Sequence, residues 1–237
     1  MFPKIIIKEL GPINLEGGYL IDGFPSMGFS SVIATESMIH TSQFRLAGVI
    51  DSNIFPPISL IKNGKPNYPT RIFVNDELKV GAFLSHLALE EPLHREIARK
   101  MIRWAKTKKI SLIVSSVSVK SDAGNEEVMA VGSTDEATNK INNAGIKNFE
   151  NGTIPGIPGA LLNEGSTTGQ DVIVIVFHSD GTSPDFRSSA KLCNVMSQLI
   201  PGASCDIPAL QKEAEKVEQV IKKDVEDAKH LKDSMYR

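Results

Sequence analysis

Between residues 18 and 200 the chain alternates between two hydrophobic patterns. Short apolar runs bounded by Gly, Pro and Asn read as strands, and stretches with an apolar residue every three or four positions read as helices. Residues 18–22 (Gly-Tyr-Leu-Ile-Asp) predict a buried strand, followed by a turn over 23–28 and a helix through Val32, Ile33 and Met38. Residues 44–50 form the next strand. The runs at 58–61, 71–74 and 80–83, separated by Gly, Pro and Asn turn residues, predict adjacent and partly antiparallel strands.

A helix starts at Glu91-Pro92, where proline suits the first turn, and Ile97, Met101 or Ile102, and Ala105 return at helical spacing. Residues 110–119, rich in Ile and Val, predict the strongest strand, placed in mid-sheet. A weaker strand at 128–131 precedes a short helix at 135–144, ended by Gly145 in the position past the last turn that glycine favours. The segment Pro155-Gly156-Ile157-Pro158-Gly159-Ala160-Leu161-Leu162 reads as a tight turn into a short helix, and 171–177 as another buried strand. Residues 184–200 predict an amphipathic helix on which Phe186, Ala190, Cys193, Met196 and Ile200 share one face, closed by Pro201-Gly202. Strands alternating with helices define an α/β layer architecture, and no repeat or long linker divides it. The chain is expected to comprise one α/β core domain, 1–204, and a C-terminal helical tail, 205–237.

That tail begins with Asp206 as candidate N-cap and Pro208 in the first turn. Counting by sevens, Ile207, Ala214, Ile221, Ala228 and Met235 form one stripe, and Leu210, Val217 and Leu231 a neighbouring one interrupted at Asp224. Such a stripe needs a covering surface. Its own domain and a neighbouring subunit are both open as that surface.

Composition narrows the function. A formal charge of −2, from 26 Lys and Arg against 28 Asp and Glu, provides no basic excess for nucleic acid or an anionic membrane. The opening Ile5-Ile6-Ile7 run is shorter than a signal-peptide core, and no apolar stretch approaches a membrane span. Cys193 and Cys205, the two cysteines present, fit neither a CxxC motif nor a disulfide framework, so a cytoplasmic location is expected, with Cys193 an inert core residue.

Chemistry-bearing motifs are sparse. Gly23-Phe24-Pro25-Ser26-Met27-Gly28 lies between a strand and a helix, where backbone amides can receive an anion, but it lacks the Lys-Ser/Thr of a phosphate loop and the middle glycine of a dinucleotide fingerprint. Ser26 also lacks the flanking glycine of a nucleophile elbow. A structural turn is the plainer reading. His178 with Asp180 follows a strand and reads as a solvated loop pair. The alternative is a small-molecule enzyme acting on a phosphate- or nucleoside-bearing substrate at the 23–28 turn, aided by Asp51, Asp122, His178 or Asp180 at strand ends. No HExxH or Cys/His cluster is present, so no cofactor, metal or catalytic residue is expected.

The chain end has binding chemistry of its own. Met235 offers an adaptable apolar anchor, Tyr236 a large contact area with a hydroxyl, and the carboxylate at Arg237 a partner for a buried lysine or backbone amides. Several copies on one oligomer would add by avidity. Gly-Tyr-Leu-Ile-Asp-Gly-Phe-Pro-Ser-Met-Gly at 18–28, Gly-Ile-Pro-Gly-Ala-Leu-Leu at 156–162, and the late order of helix, Pro-Gly, Asp206 and a charged helix opening Pro-Ala-Leu resemble the proteasome assembly chaperone family, especially its archaeal members. The resemblance covers nearly the whole chain. It implies a three-layer α/β/α fold with a mixed central sheet, similar to phosphorylase/hydrolase-like domains, a homo-oligomer, and binding to 20S proteasome α-subunits. It also implies that a hydrophobic-Tyr-X terminus enters pockets between neighbouring α-subunits, with Met235 in the hydrophobic role, Tyr236 in the aromatic role and Arg237 supplying the carboxylate. Assembly chaperone and gate-opening activator both remain open, as does a plain self-assembling scaffold.

Overall fold

The computed structural model describes residues 4–120, 127–179, 181 and 184–216. A mixed sheet crosses the middle of the molecule in the order β1 (Ile5–Glu9), β3 (Arg45–Ser52), β6 (Thr70–Asn75), β7 (Val80–Ser85), β2 (Tyr19–Gly23), β8 (Leu112–Lys120), β11 (Asp171–Ser179), β9 (Met129–Gly132) and β10 (Lys147–Asn148). Strands β7, β2, β8 and β11 are mutually parallel. Two successive antiparallel pairings, through β6, return β3 to the same direction, while β1 and β9 run against it. A hairpin of β4 (Leu60–Lys62) and β5 (Lys65–Asn67) stands apart from this sheet.

Helices cover both faces. The α1 (Ser30–Thr41), α3 (Asp135–Asn143) and α5 (Phe186–Leu199) helices contribute to one apolar cluster, and α2 (Glu91–Thr107) and α4 (Gly156–Thr168) to the other. Strand β11 shows why its run is apolar throughout: Ile173, Ile175 and Phe177 enter the first cluster, Val172, Val174 and Val176 the second. A strand covered on both sides cannot alternate apolar with polar. The expected three-layer α/β/α architecture is the one observed. The edge strand β1 is held to α2 by Glu9, which accepts from Trp104 Nε1 at 2.9 Å and Lys108 Nζ at 2.8 Å.

The structure differs from the sequence reading at several points. Strand β1 carries Ile5 and Ile7, which pack partly buried against the second cluster. The helix after Pro155 is not short, since α4 continues through thirteen residues to a left-handed Gly169. The expectation for the cysteines fails: Cys193 and Cys205 form a disulfide, with Cα atoms 6.0 Å apart. The chain turns back at Pro201-Gly202 immediately after α5, so a residue twelve positions later returns beside the buried face of that helix, an encounter that linear spacing does not reveal.

Candidate functional site

Strand β2 is an uninterrupted buried stretch that ends in Asp22 and Gly23 at the carboxyl edge of the parallel strands, the edge where open α/β sheets place ligands. The chain then turns through 23–28 into α1. Gly28 takes a φ of 68°, a left-handed conformation open to glycine at no steric cost, and its carbonyl accepts from Asp185 N at 2.9 Å. Ser26 Oγ accepts from Ser31 N at 3.1 Å and lies 2.8 Å from Ser31 Oγ, which in turn lies 2.7 Å from Ser116 Oγ on β8. This chain of hydroxyls ties the turn to the central strand. Ser26 therefore ties the turn to the first turn of α1.

Beneath the turn Asp22 is only 5% exposed. Its carboxylate accepts from Ser115 Oγ at 2.6 Å and from Phe24 N at 3.2 Å. Burial pushes its pKa up to about 6, against the smaller opposing pull of those two hydrogen bonds and of the charge that nearby His94 carries when protonated. Both donors are neutral groups. Among the described residues no cation makes an ion pair with it.

Asp22 lines an open cleft of about 1140 Å³ between α2 and α4. Its apolar wall includes Phe24, Leu89, Val117, Ile154 and Ile157. From α2, His94 reaches Leu89 O with Nε2 at 2.9 Å. A carbonyl only accepts, so Nε2 carries the proton and the neutral ring keeps a bare Nδ1. A Cβ built on Gly156 would lie 3.8 Å from that Nδ1, which puts the ring against the start of α4. Arg99 of α2 bridges to α4 through Glu164 at 2.8 Å and also bonds Glu96 at 3.2 Å. Gly159 explains part of the motif around 156–162: a Cβ there would stand 2.0 Å from Ile154 O, so the backbone can cross only at glycine.

The residues named from sequence for a small-molecule enzyme are not brought together among the described residues. The 23–28 turn lines the cleft, but Asp51 stands on β3, with β6 and β7 between it and β2, and His178 of β11 is not part of the lining. Among the described residues neither of the buried His178 ring nitrogens has a hydrogen-bond partner. Asp122 and Asp180 lie outside the described residues. Sequence reasoning missed Asp22, His94 and the Ser115-Ser116 pair. A carboxylate ending a buried apolar strand, and adjacent serines inside a Val-rich one, were the signals available.

The second feature is the base of the tail. Asp206 Oδ1 accepts from Ala209 N at 3.0 Å and caps a helix, α6, described over 207–216. Asp206 N donates to Ser37 Oγ at 3.2 Å and Ser204 N to Ser42 Oγ at 3.1 Å, which fastens the segment along α1. Leu210, 6% exposed, packs into the apolar cluster of α1 and α5, and Ala214 is 7% exposed. Met235, Tyr236 and Arg237 lie outside the described residues.

The family model described as PAC2 family matches residues 20–225. Among solved structures the chain is similar to PbaA of Pyrococcus furiosus, an archaeal homolog of proteasome-assembly chaperone, with a TM-score of 0.84 at 26% identity over 98% of this chain and 96% of that one. Its fold is also similar to that of Pyrococcus furiosus PbaB, an archaeal proteasome activator, with a TM-score of 0.74 at 20% identity, covering 93% and 98%. An uncharacterized protein of Methanocaldococcus jannaschii is 25% identical over 98% of this chain and 94% of its own length.

Proposed function

The chain belongs to the PAC2 family, and from that premise we propose that it is a non-enzymatic proteasome-binding protein that docks Met235-Tyr236-Arg237 into pockets between neighbouring α-subunits of the 20S proteasome. The observation that carries this reading is the end-to-end similarity to PbaA, a homolog of proteasome-assembly chaperone. The terminal sequence adds the means. Tyr236 supplies area and a hydroxyl, Met235 adapts to an apolar wall, and the carboxylate of Arg237 pairs with a pocket lysine.

One short terminus binds weakly, because three residues bury little area against the entropy of association. A homo-oligomer presenting several termini to a ring of repeated pockets gains the missing affinity through effective concentration. The capped and disulfide-anchored base of α6 supports this reading, since it fixes the point from which each tail departs.

The test uses the full chain and purified 20S particles. Deleting residues 235–237, or replacing Tyr236→Ala, abolishes co-purification while the circular dichroism spectrum and melting temperature stay unchanged. Retained binding by either variant refutes the tail mechanism. Hydrolysis of small fluorogenic peptides then separates the two roles: faster hydrolysis on adding the chain marks a gate opener, and no change leaves an assembly chaperone.

A further inference from the structure

The cleft at the carboxyl ends of β2 and β8 has no part in docking by the tail, yet it has features of a binding site. It is concave, its wall is largely apolar, and a few polar side chains, His94 and the buried Asp22 among them, line it, the usual make-up of a site for a small organic molecule. The polarity of those groups selects the ligand. Asp22 presents a carboxylate whose two protein donors are neutral, and His94, with Nε2 committed to Leu89 O, presents a bare Nδ1 in its neutral form. Both therefore accept hydrogen bonds.

The charge of the lining agrees. Asp22, Glu91, Glu96 and Glu164 stand against Arg95 and Arg99, and Arg99 is committed to Glu96 and Glu164. The cleft is net negative. An anionic ligand would meet a buried carboxylate at its floor, at a cost that one exposed arginine does not offset.

We propose that this cleft binds a small organic ammonium, its charged nitrogen donating to Asp22 and His94 Nδ1 and its apolar body lying against Leu89, Val117 and Ile157. A cation in that position also supplies the partner that a buried carboxylate ordinarily has. The burial that makes the Asp22 charge costly is the same burial that keeps the attraction unscreened once a cation arrives. The site is independent of residues 235–237.

The test compares phenethylamine with 2-phenylethanol, which has nearly the same shape and no charge, by saturation-transfer NMR and calorimetric titration at pH 7.5 on the full chain. Phenethylamine binds at millimolar concentration, and 2-phenylethanol binds at least tenfold more weakly. Asp22→Asn, which keeps the shape and removes the charge, weakens phenethylamine at least tenfold. Asn163→Trp, on an exposed rim position of α4, fills the mouth and abolishes binding even if the Asp22 variant does not fold. Equal binding of amine and alcohol, absent binding of the amine, an unchanged affinity in a folded Asp22→Asn protein, or unchanged binding to Asn163→Trp each overturns the assignment.

Discussion

Replacing Asp22→Asn exchanges a buried charge for a neutral amide of the same outline. Asn keeps an acceptor for Phe24 N, and its amide can donate to the Ser115 hydroxyl in place of accepting from it. The carboxyl pKa rises from 3.8 to about 6 on folding, chiefly through desolvation. The native state therefore holds its proton more tightly than the unfolded chain. Stability falls as pH rises between about 4 and 6, and the whole cost, on the order of 3 kcal/mol, is present above that window. Urea titrations should show Asp22→Asn more stable than the parent by about 1–3 kcal/mol at pH 7.5, with the advantage gone near pH 4. Gly159→Ala, forcing a Cβ to within 2.0 Å of Ile154 O, should cost at least about 2 kcal/mol. Gly11→Ala, with open space around it, should stay within about 0.5 kcal/mol. At this scale the sequence was legible where an atom is missing: Gly23, Gly28 and Gly159 mark a turn and a backbone crossing that a side chain would block. Asp22 was not legible as a site residue, because the wall that makes its charge matter comes from α2 and α4, which begin only at Glu91 and Gly156.

Among the elements, the base of the tail has the plainest energetics. Leu210 is buried in the cluster of α1 and α5, so Leu210→Ala should destabilise the chain by about 2–5 kcal/mol, read from denaturant midpoints at unchanged slope. The Cys193–Cys205 bond closes a short loop with twelve residues of separation, which in the chain-entropy account contributes about 3 kcal/mol. Thiol labelling of the unfolded, unreduced protein should find no free cysteine, and reductant should lower the melting temperature by several degrees. Periodicity located most helices and strands to within a few residues because each one buries a continuous apolar stripe or face. The elements it misplaced lack that support. Strand β1 is an edge with only partial burial, and α4 runs on through Ser and Thr residues whose hydroxyls bond back to Asn163 and Glu164 carbonyls instead of forming an apolar stripe. The disulfide escaped because it depends on the reversal after α5.

For the whole molecule, the proposed function gives the body and the tail separable jobs. The sheet and its two helix layers fix the position of α6 over 207–216, and recognition is proposed to rest with residues 235–237. Removing 235–237 should consequently leave oligomeric state by light scattering and thermal stability unchanged while binding to 20S particles is lost. The layered fold was legible from alternating strands and helices, since that order admits few packings. The proposed destination of the tail comes only through resemblance: the neighbouring stripes that begin at Ile207 and Leu210 called for a covering surface, and the apolar cluster of α1 and α5 covers those two residues. Docking into the α-ring stands or falls with the contact that Tyr236 makes. A photo-crosslinking phenylalanine derivative placed at position 236, irradiated with assembled 20S particles and mapped by mass spectrometry, tests it most directly. Cross-links to residues lining the pockets between adjacent α-subunits are the expected outcome. Cross-links confined to the chain's own body, in a protein that still co-purifies with the particle, would contradict it.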